Sequence, residues 1–119
     1  MQPIPSQILK DVIQIKTTTE VDKWNKATTE TQTQSRVHIQ GANEILKNKE
    51  NTEVQLKAVL FVDKRLSTPF IDWSELQRQA ESAGHTITVE HGKTRYTVLQ
   101  VNDVPDPFGL LHHYEVGLI

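Results

Sequence analysis

Apolar and polar positions alternate along most of this chain, and in one stretch the period lengthens. In DVIQIK (11–16), Ile13 and Ile15 share one face while Val12, Gln14 and Lys16 share the other, which predicts a half-buried strand. The polar run TTTEVDKWNKATTETQTQ follows, with Trp24 as its only large apolar anchor. It reads as a loop or edge strand leading into a second strand, QSRVHIQ, with Val37 and Ile39 inward and Arg36, His38 and Gln40 outward. Residues 41–53 then interrupt. Gly41 and Asn43 are turn formers, and the tip KNKEN (47–51) carries no apolar residue. Two readings stand for this insert: a mobile or partner-ordered loop, or a plain hairpin turn joining Ile45–Leu46 to Val54–Leu56. In EVQLKAVLFVD (53–63), Val54, Leu56, Ala58, Leu60 and Val62 line one face. Val59 and Phe61 make its second half apolar on both sides, as in the centre of a sheet.

The period changes in FIDWSELQRQAESAG. Trp73, Leu76, Ala80 and Ala83 recur at helical spacing, Asp72 is an N-cap with Glu75 three positions on, and Gly84 is placed to end the helix. Alternation resumes in HTITVE, turns at HGKT with Gly92 where positive φ is expected, and returns in RYTVLQV. Pro105 and Pro107 stiffen a loop before the final strand, LLHHYEVGLI. One helix among about six short strands predicts a mainly β fold, a small antiparallel β-barrel or sandwich with one short helix and long polar loops.

At 119 residues the chain is expected to form one domain, 1–119. It has no cysteine, so disulfides and thiolate metal sites are excluded. No apolar run approaches a membrane span, and the polar start MQPIPSQILKD is unlike a signal peptide, so a product made and assembled inside a cell is expected. Thirteen basic and 15 acidic residues are interspersed for a net charge of −2, which argues against wrapping nucleic acid by bulk electrostatics.

The chemistry-bearing residues concentrate at His112 and His113. Neighbouring side chains in a strand point to opposite faces, so these two rings are not expected to share a metal ion. His113 and Glu115 fall on one face and are placed to hydrogen-bond. A zinc site with His85 or His91 across the hairpin is the remote alternative, and ordinary packing roles are expected instead. No serine has elbow glycines around it, and phosphate loops and clustered carboxylates are absent. The expectation is a non-enzyme with no catalytic residue, cofactor or metal. A rival reading from another class is a small oligonucleotide-binding barrel, with Lys93, Arg95 and Tyr96 as a weak stacking patch; a solvated hairpin tip with Tyr96 packed accounts for the same residues more simply.

The order of RVHIQGANEIL, VLFVDKR, FIDWSEL, GKTRYTVLQV and the closing GLLHHYEVGLI resembles minor capsid or head-completion proteins of tailed phages and prophages of Gram-positive bacteria. LHHYEV at 111–116, after the YTV strand, is its most specific element. The resemblance implies a virion protein of the head–tail joint: a head-closure or stopper subunit with a β-barrel core. It would form a homo-oligomeric ring between portal-side connector and tail proteins, contact packaged DNA non-specifically, and be assembled in the host cytoplasm without a membrane. A tail-terminator or other connector-ring protein is the alternative it leaves open. By position along the chain, the channel-facing loop would be Gly41–Glu53, with Lys47, Asn48, Lys49, Glu50 and Asn51 at its tip. Subunit contacts would involve the N-terminal segment and the 17–34 stretch, with Trp24, Thr29, Thr31, Gln32, His113 and Tyr114 as candidates.

Overall fold

The structure, a computed structural model, describes residues 5, 7–18, 29–47 and 50–119. Six strands and one helix follow in order: β1 (Asp11–Thr18), β2 (Thr29–Lys47), β3 (Glu53–Asp63), α1 (Trp73–Ala83), β4 (Thr86–His91), β5 (Thr94–Pro105) and β6 (Leu111–Leu118). Every pairing is antiparallel, and the order β1-β2-β3-β6-β5-β4 closes on itself as a barrel. Closure removes the free edges an open sheet would present.

The inward positions are those the alternation marks: Ile13 and Ile15, Val37, Ala58, Leu60 and Val62, Ile87 and Val89, and Tyr114, Val116 and Leu118 form one buried cluster. Helix α1 packs against β4 and β5 and inserts Trp73 and Ala80 into that cluster. Its ends follow the sequence signals. The Asp72 carboxylate accepts from Glu75 N at 3.1 Å, and Gly84 closes the helix in the left-handed region at φ 72°. Gly92 turns the β4–β5 hairpin at φ 61°.

Strand β2 runs beyond the expected 34–40 strand at both ends. Residues 29–34 are strand, paired with Ile13–Thr18, which decides between the loop and strand readings of this run. Their threonines suit extended backbone, and the ladder with β1 satisfies their amides. Residues 41–47 are also strand: Ile45, Leu46 and Lys47 pair with Gln55, Val54 and Glu53, so of the two readings of the insert the hairpin joining Ile45–Leu46 to Val54–Leu56 holds, with longer arms than a plain turn. The turn formers Gly41 and Asn43 are absorbed by a register shift between Gly41 and Glu44.

The whole of β2 therefore changes partner midway. Its first half pairs with β1 and its second with β3, and the corner lies at Arg36, which has φ 57° at the shift beside Asp11–Val37. Beside this corner Gln34 is fully buried; its Nε2 donates to Pro69 O and its Oε1 accepts from Trp73 Nε1, each at 3.0 Å. Ser35 and Thr68 exchange two backbone hydrogen bonds next to it. The polar corner and the helix are thus fastened together.

Candidate functional site

Two surfaces stand out from the barrel. The first is the β2–β3 arm. Strand β6 pairs with β3 only from Ala58 to Asp63, so residues 53–57 and 41–47 form a two-stranded extension. Among the described residues no third strand pairs with either of its edges. Its root is seated on β6 at Gly117, where an added Cβ would lie 3.1 Å from Leu56 Cδ2 and 3.2 Å from Gln100 Cγ. Its far end, through Lys47 and Glu50, faces Ser74, Gln77, Arg78 and Glu81 of α1 across a cleft of about 670 Å³ with Leu99 and Val101 in its lining. Ile45 on the arm is 64% exposed.

The second surface is a band of histidine and aromatic side chains on the outer wall. His38, Phe61 and Glu115 are cross-strand neighbours on β2, β3 and β6. The His38 and Phe61 rings stack with centroids 5.8 Å apart, and the His113 ring lies 6.3 Å from Phe61. At one end of the band, Asp11 takes contacts from His91 Nε2 at 3.3 Å and His38 Nδ1 at 3.8 Å, and accepts a hydrogen bond from Ile39 N at 2.9 Å. At the other end, His113 Nε2 is 3.5 Å from Glu115 Oε1.

His112 and His113 correct the expectation drawn from strand alternation. Their Nδ1 atoms are 2.7 Å apart, with ring centroids at 5.0 Å and planes at 81°. The cause is a bulge: β5 residues Val104 and Pro105 stand opposite His113 and Leu111, so β6 carries one residue more than β5 at this step. A bulge kinks the strand and re-aims neighbouring side chains toward one side. Among the described residues, no group of three or more metal-ligating side chains gathers here or elsewhere.

A family model described as "Minor capsid protein" matches residues 5–118 of this chain. The chain belongs to the minor capsid protein family. No curated protein and no solved structure matches it. Membership makes this a structural phage virion protein and implies contacts with other virion proteins. No helix among the described residues is long and apolar enough to cross a membrane.

For a minor capsid protein, the residues that bear on assembly are those left on the surface. Thr29, Thr31 and Gln32 are exposed along the first limb of β2. Lys47 ends β2, and Glu50 and Asn51 are exposed in the turn, Asn51 with φ 62°. Trp24, Asn48 and Lys49 lie outside the described residues. His113 is 9% exposed, packed into the outer-wall band. Tyr114 is 2% exposed and belongs to the core, so the subunit-contact expectation for it is corrected: its side chain points into the barrel, where alternation along β6 sends it. Its hydroxyl donates to Asp72 Oδ1 at 3.2 Å, and burial together with the Asp72 charge pushes the phenol well above its ordinary pKa. At the β4–β5 tip, Arg95 is held by Glu90 at 2.8 Å and Tyr96 packs against the core, which favours the solvated-tip reading over a stacking patch. Sequence reasoning missed Asp11 and Phe61 as members of the outer-wall band, because cross-strand neighbours cannot be read from spacing along one strand.

Proposed function

We propose that this minor capsid protein works at the head–tail joint as a head-closure subunit, assembling as a ring that joins the portal-side connector to the tail and retains packaged DNA. The observation that carries this reading is the β2–β3 arm. It extends past the closed barrel with both strand edges unpaired among the described residues. Unpaired edges invite pairing with another chain, and closure of the barrel leaves the arm as the natural place for it. A ring is built from head-to-tail contacts in which one patch meets a different patch on the next copy. The exposed limb Thr29, Thr31 and Gln32 supplies a polar, hydrogen-bonding surface of that kind.

The arm's charges suit proximity to DNA without tight clamping. In the sequence, Lys47 and Lys49 stand among Glu44, Glu50 and Glu53, so phosphate attraction is moderated. The test is electron microscopy of particles produced by a phage genome lacking this gene. DNA-filled heads that leak their contents or remain tailless are expected. Empty shells that never package would overturn head closure, and full, sealed heads beside overlong tails would favour tail termination.

A further inference from the structure

We propose that the Nδ1 atoms of His112 and His113 form a chelating site for a first-row transition-metal ion, Cu(II) before Zn(II). The two nitrogens converge at 2.7 Å because the bulge in β6 turns adjacent rings toward each other. Two imidazole nitrogens in neighbouring positions on one ion, each at 2.0–2.1 Å, lie about 2.9 Å apart. The separation of the pair is therefore within a few tenths of an ångström of that in a chelate before any ion arrives.

The His113 ring and the His112 backbone are both held in place. Phe61 lies against the His113 ring at 6.3 Å, and Glu115 Oε1 stands 3.5 Å from His113 Nε2. The backbone at His112 is fixed by Lys64 N, which donates to its carbonyl at 3.2 Å. A carboxylate on the far nitrogen of a ligating histidine orients the ring and raises its basicity. It also favours a proton on His113 Nε2, leaving Nδ1 as the acceptor of the N–H···N contact. Binding then requires one proton shift: the His112 proton moves from Nδ1 to Nε2, and each Nδ1 gives a lone pair to the ion. Asp106 contributes negative charge nearby, being close enough for His112 to act on its carboxyl electrostatically. Water completes the coordination. Two imidazole nitrogens in adjacent positions with oxygen donors suit the tetragonal preference of Cu(II), which also stands highest in the divalent affinity order.

The experiment titrates the purified full chain with Cu(II) chloride by calorimetry, with electron paramagnetic resonance to count coordinated nitrogens. One equivalent with two imidazole nitrogens is expected for the wild type, and loss of that equivalent in His112→Ala. Glu115→Gln should weaken binding by about tenfold, because it keeps both ligands and removes only the orienting charge. The paired variant His38→Ala/His91→Ala removes the imidazoles around Asp11 and should bind as the wild type does. Circular dichroism confirms that each variant is folded. Equal binding by the wild type and folded His112→Ala, or loss of the equivalent in His38→Ala/His91→Ala instead, overturns the proposal.

Discussion

Gln34 is a fully buried polar residue whose two side-chain hydrogen bonds, to Trp73 Nε1 and Pro69 O, join the β2 corner to the helix. Removing it leaves the buried Trp73 indole N–H without its partner, takes a donor from the Pro69 carbonyl, and opens a cavity. Gln34→Ala should cost about 3 kcal/mol, and Gln34→Leu, which fills the space and still orphans both groups, about 1–2 kcal/mol. Urea unfolding measures both; equal losses would show that volume alone matters there. Asp72 has a similar double role, since its Oδ1 caps α1 through Glu75 N and accepts from Tyr114. Tyr114→Phe should cost about 1–2 kcal/mol at neutral pH. The phenol's pKa is raised in the folded state, so this contribution is complete below the unfolded value near 10 and fades as pH climbs through the folded one. The stability gap between wild type and Tyr114→Phe should therefore narrow only above about pH 10.

Elements were legible in the sequence where their determinants are local. The helix is bounded by Asp72 and Gly84, and the β4–β5 turn is marked by Gly92; both signals lie within a few residues of what they control. Strand β2 was legible at its centre, 34–40, but not as one continuous strand, because its halves answer to different partners. Its Thr/Gln run has no alternation of its own, and Arg36 takes positive φ without a glycine to announce it. The His112–His113 convergence was hidden for the same reason: a bulge is a mismatch in residue count between two strands, and β6 alone does not contain it. The β4–β1 seam gives a further check at this scale. Glu90 binds Lys16 at 3.1 Å and Arg95 at 2.8 Å, and hydrogen bonds first from Lys16 and then from Arg95 hold its carboxyl below the ordinary carboxylate range. A lowered pKa gives stability that is present above the unfolded value and lost as pH falls through the folded one. Thermal melts of Glu90→Gln should differ from the wild type at neutral pH and converge with it below about pH 4.

At the scale of the molecule, the described chain measures 48 × 31 × 30 Å with a radius of gyration of 14.7 Å. A compact globule of this length would have a radius near ~13.5 Å, and the arm accounts for elongation of that kind. A straight strand as long as β2 would run roughly 60 Å, more than the longest dimension, so its corners at Arg36 and Gly41–Glu44 are what let one strand serve both barrel and arm. This division of labour predicts that arm and fold are separable. Replacing residues 45–55 by Asn-Gly keeps the Glu44–Leu56 pair, closes it with a two-residue hairpin turn, and removes no buried side chain among the described residues. Leu56 stays on Gly117, so the barrel should melt within about 5 °C of the wild type. If the arm is the assembly element, the same variant should fail to restore tailed, DNA-retaining particles to a deletion phage while remaining folded and monodisperse in isolation. A shortened protein that rescues particles would move assembly to the exposed limb of β2, whereas one that unfolds would show that the arm stabilises the barrel through Leu46 and Val54.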